Sequence, residues 1–444
     1  MKREKRSGKQ TKTIKKYFTA GLRVKASMLI MGSGQMMQGQ WIKGLIYFAL
    51  LAAYVSFMVL RGGADIKGFF TLGSVKSDPW LGVKGDDSIM LMLKGIITYT
   101  ITAFFIGFYF SNVRDAYESE ERINKDLKLP DFVTSVKRFF DRKFYIAALA
   151  LPVLGVVVFN IMPIVFMILI AFTNYGGDIV PPELVDWVGL QNFGKLVALS
   201  EIKDTFFKIL GWDFVWAICA TAVNYFGGLG LALLLNKKCV KGKTFWRAFP
   251  IIAYAVPGFI TLLAFKFMFC YGGPINYYIT MGGGKAIGFL DMDAGIKAKL
   301  IGLFVNAWIS IPTSMLLATG ILSNMNEDLY DAAAIDGANA WKQFTKITLP
   351  FVIFSTTPVL ISTFVGNFNN FGIFYFLRNG LYNDGYFLAS DTDLLINWLY
   401  NLTYSNNYYA IGAAISLVIF IITSVISLSV YVRSNAYKKE DTYR

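Results

Sequence analysis

The sequence predicts an all-α protein that crosses a membrane eight times, and three observations predict it. Apolar residues make up 55% of the chain and mean hydropathy is +0.48, too high for a soluble multidomain protein. Eight apolar stretches, each near the roughly 20 residues that a bilayer requires, recur at about 41–60, 90–111, 145–172, 213–236, 247–271, 299–322, 350–376 and 408–432. The loops between them alternate between basic and basic-poor.

That alternation sets the expected orientation. Lys and Arg gather in 1–25, 112–144, 237–247, 323–349 and 433–444, and are sparse in 61–89, 173–212, 272–298 and 377–407. Basic loops stay inside, so both termini and the 323–349 loop are expected in the cytoplasm of a multi-pass cell-membrane protein. The net charge of +14 then reports topology and does not point to a nucleic-acid partner. Residues 1–25 read as a basic arm, solvated or resting on anionic membrane lipid, and Met28–Gln40 reads as interfacial. Three regions follow: 1–38, the arm and interfacial segment; 39–144, two additional spans and a basic linker; and 145–444, a six-span core.

Several chemistries are excluded or disfavoured. The chain has no histidine, which removes imidazole acid–base chemistry and histidine metal ligation. Cys219, Cys239 and Cys270 are far apart and suit free thiols, with no metal site expected. Lys241-Gly242-Lys243-Thr244 looks like the end of a phosphate-binding loop. The glycine that should open that loop is Lys237, however, and no strand pattern precedes it. No cofactor is expected in this chain. The expected span cores carry no Asp or Glu, which disfavours coupling to an ion gradient. Lys266 sits about one turn from a span end and is expected to snorkel.

The 323–349 loop is amphipathic. Leu322, Met325, Leu329, Ala332 and Ala333 recur at helical spacing, and Asn324 with Glu327 is a plausible helix start. Gly337 can take the left-handed conformation that ends a helix. A second short helix would carry Trp341, Phe344 and Ile347 on one side until Leu349-Pro350 opens the next span. The alternative is a helical loop lying on the membrane. Two short helices around a glycine turn make a projecting knob, a shape on which a partner can push.

The residue order Asp331-Ala332-Ala333-Ala334-Ile335-Asp336-Gly337, followed by Ile347-Thr348-Leu349-Pro350, resembles the "EAA" coupling loop of ABC importer permeases, with Asp331 where that family has Glu. The resemblance covers about residues 145–444. It narrows to the maltose/maltodextrin (MalF) sugar permeases through Tyr254-Ala255-Val256-Pro257, Gly366-Asn367-Phe368-Asn369-Asn370-Phe371 and Thr392-Asp393-Leu394-Leu395. The two leading spans also suit that family. Its enterobacterial members carry a large external insertion after the third helix, where about forty residues stand here. The resemblance implies ATPase coupling through Asp331, Ala332, Ala333 and Gly337.

Two polar stripes at i, i+4, i+7 spacing run along the sixth and seventh spans: Asn306, Ser310 and Thr313, then Thr363, Asn367 and Asn370. Such residues either bond one helix to another or face a pathway, where asparagine can both donate to and accept from sugar hydroxyls. Trp308 and Tyr254 offer faces for a pyranose ring, and Pro312 removes a backbone donor beside the first stripe. The resemblance places substrate at Tyr254, Asn306, Ser310, Thr313, Thr363, Asn367 and Asn370. Ser310 and Thr313 stand for the family's Gly and Tyr, and Thr363 for its Ser.

Three functions compete: an ABC importer permease for maltose, maltodextrin or a related oligosaccharide, a gradient-driven sugar carrier, and a membrane scaffold. The first is the expectation. It implies a second, MalG-like permease subunit, two copies of an ABC ATPase holding ATP and Mg, and an extracellular sugar-binding protein.

Overall fold

The computed structural model describes residues 20–433 apart from 79 and 238. Residues 1–19 of the expected basic arm and 434–444 of the terminal loop lie outside them. Among the described residues, eight helices are long and apolar enough to cross a membrane: Trp41–Thr71, Ser88–Asn124, Phe144–Ile170, Ser200–Asn236, Gly258–Met281, Gly295–Ser323, Ala340–Arg378 and Tyr409–Arg433. Each overlaps one expected span. The chain forms two compact units, one through Val188 and one from Gly189. The third span lies in the unit of the first two, whereas the sequence grouped it with the five that follow.

In the first unit the leading spans run antiparallel. Lys43 Nζ meets Asp115 at 3.3 Å, Tyr54 stacks on Phe105 at 3.8 Å between ring centroids, and Thr98 donates to Asp65. The end of the expected basic arm and the segment after it fold into two short helices, Leu22–Leu29 and Ser33–Met37, latched to the second span by Asn112. That buried amide accepts from Gly32 N at 3.0 Å and Ser27 Oγ at 3.1 Å, and donates to Ser27 O at 3.0 Å. Its backbone carbonyl takes Gln35 Nε2 at 2.9 Å. A helix, Phe132–Arg142, then leads into the third span.

In the second unit the fourth span packs along the sixth. Gly228 allows the close approach, because a Cβ there would collide with Ser314. Trp216, Ile301, Val305 and Phe374 form the main core, and Tyr225, Leu229 and Met315 form a second. The fourth helix starts at Ser200, well before the expected 213, so Asp213 lies inside it and is fully buried. The expectation of no acid within a span core is corrected accordingly. One oxygen of Asp213 accepts from Leu395 N at 3.0 Å.

Two expected spans are broken. Over 247–271 the chain forms Lys243–Ala255, an extended Val256-Pro257, and then Gly258–Phe269. A proline disfavours the helical conformation at the residue before it, and here Val256 is extended, with φ −75° and ψ 130°. The seventh span is regular over Leu349–Phe368, lapses at 369–371, and resumes at Gly372–Arg378.

The segment after the seventh span is tied down by charge. Arg378 is buried and donates to Asp391 Oδ1, Thr392 Oγ1 and Asp291 O at 2.9 Å each, and to Met292 O at 3.0 Å. Asp393 accepts from Ser390 N and Ser390 Oγ at 2.9 Å and from Asn401 Nδ2 at 3.3 Å. Burial pushes its carboxyl up to about 6, against the Ser390 hydrogen bonds and the Arg378 charge.

A raised carboxyl pKa means that the folded state keeps a proton which the unfolded chain has already released. Stability from this group is therefore full below about pH 4, falls as pH rises through about 6, and then levels off, a difference of about 3 kcal/mol. Denaturation of the wild type and Asp393→Asn across that window is expected to show this slope in the wild type alone. A difference that grows in favour of the wild type with rising pH would contradict the assignment.

Candidate functional site

Three asparagines from two spans meet a threonine and a tryptophan from a third. Asn306 projects from the sixth span, Asn367 from the last turn of the Leu349–Phe368 helix, and Asn370 from the break just after it. Asn306 Nδ2 donates to Asn367 Oδ1 at 3.5 Å, and Asn370 Nδ2 donates to Asn306 Oδ1 at 3.4 Å. On the fourth span, Thr221 Oγ1 accepts from Asn367 Nδ2 at 3.0 Å and Trp216 Nε1 donates to Asn367 O at 3.1 Å.

The distances separate two kinds of contact. Bonds from the fourth span have ordinary lengths, so Asn367 is held from that side. Bonds among the three amides are long, at the edge of what counts as a hydrogen bond. Groups bound that loosely lose little when a hydroxyl takes a partner's place. Asn370 Oδ1 also accepts from Ile373 N at 3.2 Å, capping the helix that restarts at Gly372.

The remaining expected site residues do not join this node. Thr363 Oγ1 bonds back to Val359 O at 2.9 Å, inside its own helix. Ser310 is half-buried and Thr313 exposed, because Ile311 and Ser314 are the residues turned toward the fourth span's Gly227 and Gly228. Tyr254 is 56% exposed at the end of Lys243–Ala255. Trp308 is also half-exposed and meets Phe265 edge-on at 6.2 Å. The stripe of the seventh span is thus interrupted, since Asn370 lies beyond the helix end.

Sequence reading missed the fourth span's share. Thr221 and Asn224 stand at i, i+3, a polar pair that could have been found as the other stripes were. Asn224 is buried, with neither side-chain amide atom partnered among the described residues.

The 323–349 loop forms the expected first helix, whereas the second, Ala340–Gln343, is not separate: it runs on through a wider turn at Phe344–Thr348 into the seventh span. The first is Asp328–Ile335, opened by Asn326 Oδ1 accepting from Asp328 N at 3.0 Å, so Asn326 takes the role expected of Asn324. Gly337 has φ +73°, and Ala338 N closes back onto Ala333 O at 2.9 Å. Asn339 caps the second helix, accepting from Lys342 N at 2.9 Å. Tyr330 OH bonds Thr348 Oγ1 at 2.8 Å, bracing the knob against the root of the seventh span. Asp331, Ala332 and Gly337 are exposed and Ala333 is half-buried. Ile335 and Trp341 are 87% and 70% exposed, large apolar side chains left uncovered at the tip.

Residues 225–434 match the family described as binding-protein-dependent transport system inner membrane component. The chain is also 32% identical over 429 residues to the maltodextrin transport system permease protein MalC of Streptococcus pneumoniae, covering 94% of this chain and 97% of that one. The chain belongs to this family of binding-protein-dependent inner-membrane transport components. It is a permease component and a multi-pass membrane protein, with no catalytic role of its own. The galactooligosaccharides transport system permease protein GanP of Bacillus subtilis is 31% identical over 93% of this chain and 97% of its own. The maltose/maltodextrin permease MalF of Salmonella typhimurium is 32% identical, over 57% of this chain and half of its own length. In fold, the permease is similar to a bacterial ABC transporter involved in alginate import, with TM-score 0.51 and 20% identity over 67% of this chain and 97% of that one. The matched residues 225–434 hold every expected site residue, both at the asparagine node and at the knob.

The geometry ranks the polar residues of the permease by structural cost. Asn367→Leu is expected to destabilise the purified permease by about 1–3 kcal/mol, because Thr221 and Asn306 lose a partner. Thr363→Val should change stability much less, since its hydroxyl serves only its own helix. Thermal unfolding of the two variants checks this, and equal losses would contradict the ranking.

Proposed function

We propose that this chain is one of two permease subunits of an ABC importer that carries maltodextrin or a related oligosaccharide into the cell. The observation that carries the reading is the exposed helix–glycine–helix knob, braced by Tyr330 on the seventh span that bears Asn367. Force applied at Ile335, Trp341 and the Asp331–Gly337 turn would be passed into the helix whose far end forms the asparagine node. Closure of two ATPase subunits, which hold ATP and Mg, would rock that helix so that the central site opens to alternate sides. A second permease subunit completes the pathway, and an extracellular binding protein delivers the sugar. Both termini and the knob face the cytoplasm in this reading, as the basic loops favour.

At the node, Asn306, Asn367 and Asn370 would exchange their long mutual bonds for sugar hydroxyls, while Thr221 and Trp216 keep Asn367 in place. Tyr254, Ser310, Thr313 and Thr363 would line the way to it. The relatives transport two different sugars by name, maltodextrin and galactooligosaccharides, at near-equal identity. A galactooligosaccharide is therefore the second reading, and uptake of the two labelled sugars by the reconstituted complex decides between them.

Gly337→Asp should place a side chain where φ is +73° and loosen the ATPase while leaving membrane insertion intact. Co-purification of the ATPase is the measurement, and normal co-purification with normal transport would refute the coupling role. In an assembled complex, Asn370→Leu is expected to raise the sugar concentration for half-maximal ATPase stimulation about tenfold, the equivalent of one lost polar contact. An unchanged concentration would make the node purely structural.

A further inference from the structure

A cavity of about 560 Å³ lies in the first unit, between the Lys43 end of the first span, the Arg122 end of the second, and the helix Phe132–Arg142. Its polarity is graded. Leu50 and Phe108 line its inner end, each seven residues, or about 10 Å along a helix, deeper than Lys43 and Asp115. Its outer end is charged.

The linking helix presents two adjacent stripes to this cavity. Phe132, Val136 and Phe139 recur at i, i+4, i+7, and beside them run Ser135, Arg138 and Arg142. Lys143 follows at the helix end. The two carboxylates of the lining are already engaged: Asp115 with Lys43 at 3.3 Å, and Glu118 with Arg114 at 2.7 Å. Arg122, Arg138, Arg142 and Lys143 have no carboxylate partner among the described residues. Four unpaired cations thus ring the mouth of a cleft whose floor is aromatic and aliphatic.

We propose that this cavity is a binding site for one anionic phospholipid. The headgroup phosphate lies among Arg122, Arg138, Arg142 and Lys143, and an acyl chain lies along Phe139, Phe108 and Leu50. Cation and hydrocarbon side by side are the complement of an amphiphile with a negative head. The chain's own residues 1–19 are rich in Lys and Arg and carry the wrong charge to fill the site. A soluble anion would leave the apolar floor uncovered, and a zwitterionic lipid would leave the excess positive charge unanswered.

The test uses the full chain in phosphatidylcholine nanodiscs doped with phosphatidylglycerol, with lipids retained after detergent extraction measured by mass spectrometry. Phosphatidylglycerol is expected to be retained above its bulk fraction, with about a fivefold loss for each cation removed. R138Q/R142Q/K143Q should abolish that enrichment. Lys137→Gln, on the same helix but outside the lining, should preserve it. Phe139→Ser should weaken retention without any change of charge, and glycerol phosphate should fail to displace the lipid. Arg142→Gln alone, at the exposed end of the helix, serves if the triple variant does not fold. Retention in proportion to bulk composition would overturn the proposal. So would a loss at Lys137→Gln as large as at Arg142→Gln, which would mark a diffuse field, or displacement by glycerol phosphate, which would mark a plain anion pocket.

Discussion

In hydrocarbon a polar group finds its partner inside the protein or remains costly, and the rest of this structure depends on that constraint. It explains why threonines in the spans bond back to their own helices, as Thr102 does to Thr98 O and Thr357 to Ile353 O. It explains why Tyr225 and Thr356 meet at 2.7 Å between two helices. Just beyond the expected second span, buried Asn112 is likewise fully partnered, by Ser27 and Gly32. The asparagine node obeys the constraint with its weakest bonds, and a polar ligand can enter most cheaply at such a place. Nothing in the structure explains Asn224, which has no side-chain partner among the described residues, three positions after Thr221 on the fourth span.

Helix interruptions do much of the positioning. Pro257 ends the helix that carries Tyr254 and lets a new one begin at Gly258. The lapse at 369–371 frees Asn370 to reach across to Asn306 while its own oxygen caps the next turn. Further out, Arg378 gathers Asp391, Thr392 and two carbonyls into one charged clamp, and a buried charge so placed is costly to unpair. Knob, node and clamp therefore each draw residues from one stretch, from Asp328 through the seventh span to Asp393, with partners on the fourth and sixth spans and at Asp291 and Met292.

Much of this was legible in the sequence. Eight apolar runs give eight spans because the bilayer leaves few alternatives to a helix. The knob was legible because Gly337 stands where a left-handed residue must end one helix before another begins. Other features were hidden by the chemistry that makes them. Val256-Pro257 sits in an apolar run, so hydropathy reads through the break. Asn370 falls on the helical period of its stripe even though the helix has stopped. Asp213 was missed because residues 200–212 are too polar to register as a span, yet their backbone continues the helix. Contacts from Thr221 and Trp216 depend on which helix packs beside which, and periodicity carries no information about that.

In the proposed function, force from ATP hydrolysis reaches a sugar pathway through this chain. The most direct measurement is uptake of labelled maltodextrin into vesicles bearing the assembled complex and its binding protein, with ATP inside and the proton gradient collapsed by an uncoupler. Accumulation that continues undiminished with ATP, and stops when ATP is withheld, is the expected result. Accumulation that follows the gradient and ignores ATP would contradict the claim.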